Sequence, residues 1–396
     1  MNNKFRNNNR NQQNNYTYIL GNKKIGEISF ISSERERYNS FSNKVNEKIN
    51  TLKVDSLVLL LSKFIPLYYQ ENQNSISLDT KIKNSFFYSI IDYFNRNQEL
   101  INAIKNKEKH MKEIIENLMN QDFILLLNEN ENVFETSSRL IVGLGSHHIL
   151  ETSLTLDHIN GIPFIPSSSI KGSLRALYFQ NFLYMLINHI NPENTQKLLT
   201  DFLKKLQDIF YDSLLFEHIN LQNIFNNLFF NQFLNKNELE DIKKYLIKVF
   251  LLFGTQDFKG LLIFLDSYPV DTLILDIDII NTHYSEYYTK KDRIPGDWEE
   301  PKPIFFLTVA KKNKFKFNIL FDSYRAKKIT NCLKANDKDC EIVLPKELKD
   351  IIRDTLLEIL NNDFRDLKKE ITEMIRILLK DVGIGAKTRL SYGTFK

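Results

Sequence analysis

Apolar residues recur at three- and four-residue spacing through LVLLLSKFIPLYY, FFYSIIDYF and ELINAIKNKEKHMKEIIENLM, which predicts helices from about residue 33 to 120. Pro66 kinks or ends one of them. Ahead of this block, Tyr16–Leu20 reads as a short strand. The character changes near Phe134, where SSRLIVGLGSHHILETSLTLDHINGIPFIP is rich in β-branched residues and carries turn signals such as Asn160-Gly161. Strands are expected there at 139–142, 152–158 and 162–165. Pro166 and Ser167–Ser169 then cap a helix over about 170–190, and a second helical stretch fills 195–252. Residues 260–270 and 273–280 read as strands, and 304–310 with 314–321 as a hairpin. Two amphipathic helices, about 345–361 and 364–381, lead into the glycine-punctuated GIGAKTRLSYGTFK. Strands alternating with helices over long connections indicate an α+β fold.

This pattern divides the chain into an Asn-rich tail (1–15), a mainly helical region (16–133) and a domain over 134–396 with a helical insertion at about 190–252. Ten of the first fifteen residues are Asn or Gln, a composition that buries no apolar surface and is expected to be disordered. The whole chain has 396 residues, enough for two or three units, and only twelve glycines and nine prolines, which excludes a fibrous or low-complexity protein. Two cysteines, Cys332 and Cys340, exclude a disulfide scaffold and a four-cysteine zinc site and fit a reducing compartment. With no apolar leader and no run of the roughly 18 apolar residues that a membrane span needs, a cytoplasmic location without membrane contact is expected.

The formal net charge of +4 permits a nucleic-acid partner without demanding one. Between Lys290 and Lys328 the balance is steeper, eleven Lys/Arg against five Asp/Glu, interleaved with Phe305, Phe306, Phe315, Phe317 and Tyr324. Such interleaving suits a nucleic-acid groove, although most charge runs are solvated faces.

Three segments carry candidate chemistry. In GIPFIPSSSIKGSLRALYF (161–179), Ser167, Ser168 and Ser169 open a helix, with Lys171 and Arg175 one turn apart; free N–H groups, hydroxyls and cations together make a phosphate site. The plainer reading is an ordinary N-cap beside two solvated cations, but Gly172 in the first helical turn suggests close backbone approach. The terminal loop holds Gly383, Gly385, Lys387, Thr388, Arg389 and Tyr392. A P-loop would need glycines at 386 and 381, where Ala386 and Asp381 stand, so a nucleotidase is excluded; backbone amides and cations that hold a nucleic-acid backbone remain. In NTHYSEYY (281–288), His283, Tyr284 and the two later tyrosines could stack on bases or pack as a loop. His147 and His148 are adjacent and on a strand would face opposite ways, so neither metal nor cofactor is expected.

Together these segments resemble the RAMP proteins of CRISPR effector complexes. The 161–175 stretch is similar to their first-helix signature and GIGAKTRLSYGTF to their glycine-rich loop. The order FGTQ (253–256), FLDSYP (264–269), HYSEYY (283–288), PGDW (295–298) and KPIFFLTV (302–309) is similar to the sixth, head-end subunits of type III-B (Cmr) modules. Where such proteins often carry glycine, this chain has Ser167 and Ser391. The resemblance implies a ferredoxin-like (RRM-like) domain with large helical insertions. It also implies a non-catalytic subunit that caps the backbone RAMP filament near the 3′ end of the guide RNA, with guide and target RNA, the backbone RAMP subunit, the small helical subunit and another head-end RAMP subunit as partners. Ser167, Ser168, Ser169, Lys171 and Arg175 would then contact the RNA backbone, and Gly383, Gly385, Lys387 and Thr388 would form the loop that holds it. The alternatives are a RAMP endoribonuclease that processes CRISPR RNA, with His147, His148 or His283 as acid or base, and a protein-only scaffold.

Overall fold

In a computed structural model the described residues are 16–20, 23–28, 47, 56–63, 66–70, 75–77, 80–129, 131–146, 148, 150–189, 236–255, 258–282, 284–290, 294, 296, 298, 301–335 and 346–396. The expected Asn-rich tail at 1–15 and the 190–235 part of the expected helical insertion lie outside them. Along the chain run β1 (Tyr16–Leu20), β2 (Lys23–Ile28), α1 (Leu57–Lys63), β3 (Pro66–Gln70), β4 (Ser75–Ser77), α2 (Thr80–Asn95) and α3 (Gln98–Met119). Next come β5 (Phe123–Leu125), β6 (Val133–Glu135), α4 (Ser167–His189), α5 (Lys236–Phe253), β7 (Leu262–Phe264), β8 (Tyr268–Val270), β9 (Leu275–Thr282) and α6 (Ser285–Thr289). The chain ends with β10 (Lys302–Val309), β11 (Lys314–Lys316), β12 (Ile319–Asp322), α7 (Ser323–Ala335), α8 (Lys346–Asn361) and α9 (Arg365–Ile377). This mixed helix-and-sheet content is the α+β class expected from the pattern.

The chain folds as two interleaved units: residues 1–105, 141–163 and 271–313, and residues 106–140, 164–270 and 314–396. In the first, LVLLLSKFIPLYY is not one helix. Pro66 ends the helical period, and PLYYQ becomes β3, paired with β1 in the antiparallel order β2-β1-β3-β4. Phe86, Phe87, Ile90 and Phe94 form the buried stripe of α2. At its end the Asn95 side chain accepts the Leu275 N–H at 3.0 Å and donates to the Leu275 carbonyl at 3.4 Å, which fixes α2 on β9. β9 pairs with β10, not β10 with the 314–321 stretch; Asn313 bonds Ile274 and Ala310 and turns the chain away after β10.

Residues 139–165 do not form the three expected strands. Isolated bridges stand in their place, among them Leu156–Pro163, Ile165–Ser267 and one at Leu140. Gly143 (φ 82°), an Asx turn in which the Asp157 carboxylate accepts the Ile159 and Asn160 N–H groups, and Gly161 (φ 64°) bend the backbone too often for a ladder. A Cβ at Gly161 would stand 2.7 Å from the Leu57 N–H nitrogen, so this turn needs glycine.

The second unit carries two three-stranded antiparallel sheets, β6-β11-β8 and β5-β12-β7, which follow one another along the same three stretches of chain. β5 and β6 lie on the first stretch, β7 and β8 on the second, and β11 and β12 on the central one between them. Between the two sheets Asn132 Nδ2 donates to Asn318 Oδ1 at 3.0 Å, while the Phe317 N–H reaches the Asn132 carbonyl and the Leu265 N–H the Asn318 carbonyl. These backbone groups are therefore satisfied without a continuous ladder. The last residues pair beside the first stretch: Thr136 bridges Phe395, and Glu135 and Lys396 exchange N–H···O bonds. With each stretch counted as one strand, α4 after the first and α7 after the central one, the connectivity is βαββαβ and the spatial order 4-1-3-2, the ferredoxin-like arrangement.

α4 packs on α5, on β7 and on α9. Tyr178 of α4 donates to Glu370 of α9 at 3.0 Å, and Lys248 of α5 is ion-paired with the same carboxylate, so one half-buried acid ties three helices. Burial, and next the Glu370 charge, push the Tyr178 phenol well above its ordinary pKa. α7, which the apolar pattern did not announce, buries Ala326, Ile329, Thr330 and Leu333. Its Cys332 is disulfide-bonded.

Candidate nucleic-acid interface

α4 begins three residues earlier than expected, and its first turn is capped by backbone and carboxylate, not by hydroxyls. The Pro166 carbonyl accepts the N–H groups of Ser169 (2.9 Å) and Ile170 (3.2 Å), and the Ser167 N–H donates to Asp266 Oδ1 at 2.6 Å. Asp266 lies in the break between β7 and β8. Its carboxylate takes one of the orphan donors that an anion would seek and brings its own negative charge to that end of the helix. The phosphate-facing part of this segment therefore shifts to the exposed Ser168 and to the half-buried Lys171 and Arg175. Burial, and secondarily the Arg175 charge, lower the Lys171 pKa. The Arg175 guanidinium lies 5.9 Å from the Phe179 ring. An anion lying across both cations would relieve their mutual repulsion.

Gly172 is exposed, and a Cβ added to it meets nothing within 4 Å. Among the described residues, none makes the close approach that the glycine suggests, so helix docking against them does not require it. Gly172→Ala should raise the stability of the free chain by about 0.5–1 kcal/mol, the ordinary Gly-to-Ala gain in a helix. If RNA lies against this turn, the same substitution weakens RNA binding; thermal unfolding and a binding titration on one variant read the two effects separately.

The terminal loop follows α9 through a π turn, Leu378–Val382, which the Gly383 N–H closes by donating to the Leu378 carbonyl at 2.7 Å. Gly383 (φ 81°) and Gly393 (φ 69°) then bring the loop's two ends together, with the Ile384 N–H on the Gly393 carbonyl at 2.9 Å and the Gly393 N–H on the Arg139 carbonyl at 2.8 Å. Between them the loop opens outward. Gly385 (φ 98°) and Arg389 are exposed, while Ala386, Lys387, Thr388 and Tyr392 are half-buried. The N–H groups of Gly385 and Ala386 have no acceptor among the described residues. The Lys387 ammonium sits 5.6 Å over the Tyr392 ring. Open amides, two cations and a hydroxyl on a rigidly closed loop form an anion nest, suited to a sugar–phosphate backbone. Ser167 lies in helical backbone, so the absence of glycine there costs nothing, whereas Ser391 adopts φ 62°, the left-handed conformation glycine would take freely.

The helix opened by the serines packs along α9 and the π turn, so the two segments share one scaffold, although Asp266 anchors one between β7 and β8 and Arg139 the other in the loop after β6. Tyr284 belongs to the first unit; it is half-buried with φ 63°. The exposed rings of its segment are Tyr287 and Tyr288, edge-to-face at 5.2 Å, with Tyr288 80% accessible. His283 and His147 lie outside the described residues. His148 Nδ1 accepts the Leu150 N–H at 3.2 Å, so its lone pair is engaged and the imidazole is a poor proton acceptor. Among the described residues, no cluster of His, Cys, Asp or Glu could hold a metal, and no helix is long and apolar enough to cross a membrane.

Residues 133–396 match the RAMP superfamily. The chain is 30% identical over 289 residues to the CRISPR system Cmr subunit Cmr6 of Pyrococcus furiosus, the match spanning 69% of this chain and 70% of that protein. The crystal structure of Cmr6 from Pyrococcus furiosus matches with 27% identity and a TM-score of 0.33, over 69% of this chain and 97% of that one. A chain of the type III-B Cmr-beta complex bound to cognate target RNA matches with 16% identity and a TM-score of 0.40, over 92% of this chain and 87% of that one. The order of motifs, the βαββαβ connectivity and the sequence identity agree: this chain belongs to the RAMP superfamily, within the family of the CRISPR system Cmr subunit Cmr6.

Proposed function

We propose that the chain is a non-catalytic, RNA-binding structural subunit of a type III-B CRISPR effector, capping the backbone RAMP filament near the 3′ end of the guide RNA. The observation that carries this reading is the terminal loop: a closed scaffold that leaves two backbone N–H groups without acceptors beside Lys387 and Arg389, in a chain of the Cmr6 family. Lys171, Arg175 and the exposed Ser168 supply a second set of phosphate contacts on α4. The guide RNA is the ligand of both sets, target RNA reaches the subunit through the guide, and the backbone subunit, the small helical subunit and the other head-end RAMP subunit are its protein neighbours. His148, its Nδ1 occupied by the Leu150 N–H, favours this reading over a ribonuclease.

Titration of the full chain with single-stranded guide RNA across a salt series tests the proposal. The logarithm of affinity should fall linearly with the logarithm of salt concentration, with a slope of about −0.7 for each phosphate held. Lys171→Gln and Arg175→Gln should each flatten that slope by roughly one contact. Affinity that ignores salt and both substitutions would favour the protein-only scaffold. The lowered Lys171 pKa adds a sign: binding an anion there raises it, so affinity should weaken as pH climbs towards the lysine range.

A further inference from the structure

The first unit contains a cavity of about 380 Å³ beneath the 143–158 segment, a size ordinary for small-ligand sites and far beyond that of a single buried water. Its floor is apolar, with Leu61, Phe87, Leu150 and Leu307 buried. Its rim carries Ser146, His148, Ser153 and His158. The side chains of Ser146, Ser153 and His158 have no hydrogen-bond partner among the described residues. Among the described residues, no lysine, arginine, aspartate or glutamate lines it. The nearby buried cation, Lys83, is ion-paired with Glu151. Burial, and next the Lys83 charge, lower the His148 pKa, which with the Leu150 N–H on Nδ1 leaves a neutral imidazole whose Nε2 donates. An apolar floor with an uncharged rim of donors and acceptors has no cation to neutralise a phosphate. It matches a flat, neutral heterocycle that needs burial of its faces and hydrogen bonds at its edge.

We propose that this cavity receives a nucleobase from a single-stranded segment of RNA, with the attached phosphate left outside. The inference rests on the RNA-binding reading above and gives the first unit a base-holding site, beside the backbone contacts proposed for the second. The test uses the full chain, a 4-thiouridine-substituted single-stranded RNA and two blocking variants. Ser153→Trp fills the cavity, and His158→Trp, at an exposed rim position, covers it without disturbing the core. Each variant should lower RNA affinity about tenfold, within the range measured when a base loses its stacking partner. The salt slope should stay unchanged, because no phosphate contact is lost. Photo-crosslinks to the 143–158 peptide should appear in the wild type and vanish in both variants. Wild-type affinity and crosslinking in variants whose melting curves match the parent would overturn the cavity site while Lys387→Glu still reports on the RNA reading. Failure of the wild type to bind RNA at any salt concentration would overturn both. Saturable binding of free uridine without crosslinks from the polymer would overturn the RNA source of the base.

Discussion

Lys387→Glu should lower the affinity for guide RNA by more than about tenfold at low salt and flatten the salt slope by about 0.7, the value of one single-strand phosphate contact. Lys387 sits at φ 61°, and glutamate pays the same backbone cost there, so the exchange alters charge more than conformation. The contact with the Tyr392 ring that the exchange removes is worth about 0.5–1 kcal/mol at a partly exposed site. Binding therefore changes far more than stability, a pattern that a structural lysine would not give. Lys387→Gln separates the terms: it has the size of glutamate, removes the charge without reversing it and should fall between the two. A salt titration of the three proteins checks the order, and unchanged affinity in the glutamate variant would remove the loop from the interface.

Gly393→Ala should be the most damaging single change in the loop's fold. Gly393 has φ 69°, and an added Cβ would stand 1.9 Å from the Ile384 carbonyl oxygen, an overlap that backbone must move to relieve. The left-handed conformation alone costs an ordinary residue about 1–2 kcal/mol, and the clash adds to it, so a loss of at least about 2 kcal/mol is expected. The displaced atoms belong to the hydrogen bonds that close the loop, Ile384 N–H to Gly393 O and Gly393 N–H to Arg139 O. Hydrogen exchange at these two amides should accelerate together, and the melting temperature should fall. Ser391→Gly has the opposite sign: relief of the left-handed cost is partly offset by about 0.5–1 kcal/mol of glycine entropy, leaving a gain below about 1 kcal/mol. Thermal unfolding of the two variants beside the parent reads both.

Much of the fold was legible where periodicity and packing agree. The helices at 345–361 and 364–381 are found at Lys346–Asn361 and at Arg365–Ile377 with its π-helical continuation, because both carry strong one-sided apolar stripes. α7 was not legible: its buried face is Ala326, Ile329, Thr330 and Leu333, half small or polar, and burial is decided by the sheet beneath it. The 139–165 segment has the composition of strands but not their geometry, since turns at Gly143, Asp157 and Gly161 override β-propensity. The partner of β10 was misread because strand pairing is a long-range choice. Here the Asn313 side chain bonds Ile274 across 39 residues and sends the chain on to a separate sheet.

The candidate site was legible in residue type and only partly in role. The glycines of the terminal loop were visible, and the structure gives them two uses: Gly383 and Gly393 close the loop, while Gly385 leaves an amide open. Asp266 left no signal beside the serines, because it lies 99 residues from Ser167 and meets it only once α4 is laid on β7. Its carboxylate explains why the first helical turn is less of an anion site than its sequence suggests. Tyr287 and Tyr288 share the period of their short helix with Tyr284, and only the fold shows which rings face solvent.

The measurement that bears most directly on the central claim is purification of the tagged full chain from its native host at mild salt, followed by sequencing of the nucleic acid that accompanies it. Repeat-derived guide RNA, recovered with several RAMP-type subunits and reduced in amount by Lys387→Glu, is the predicted result. The chain recovered alone, without RNA, would contradict it.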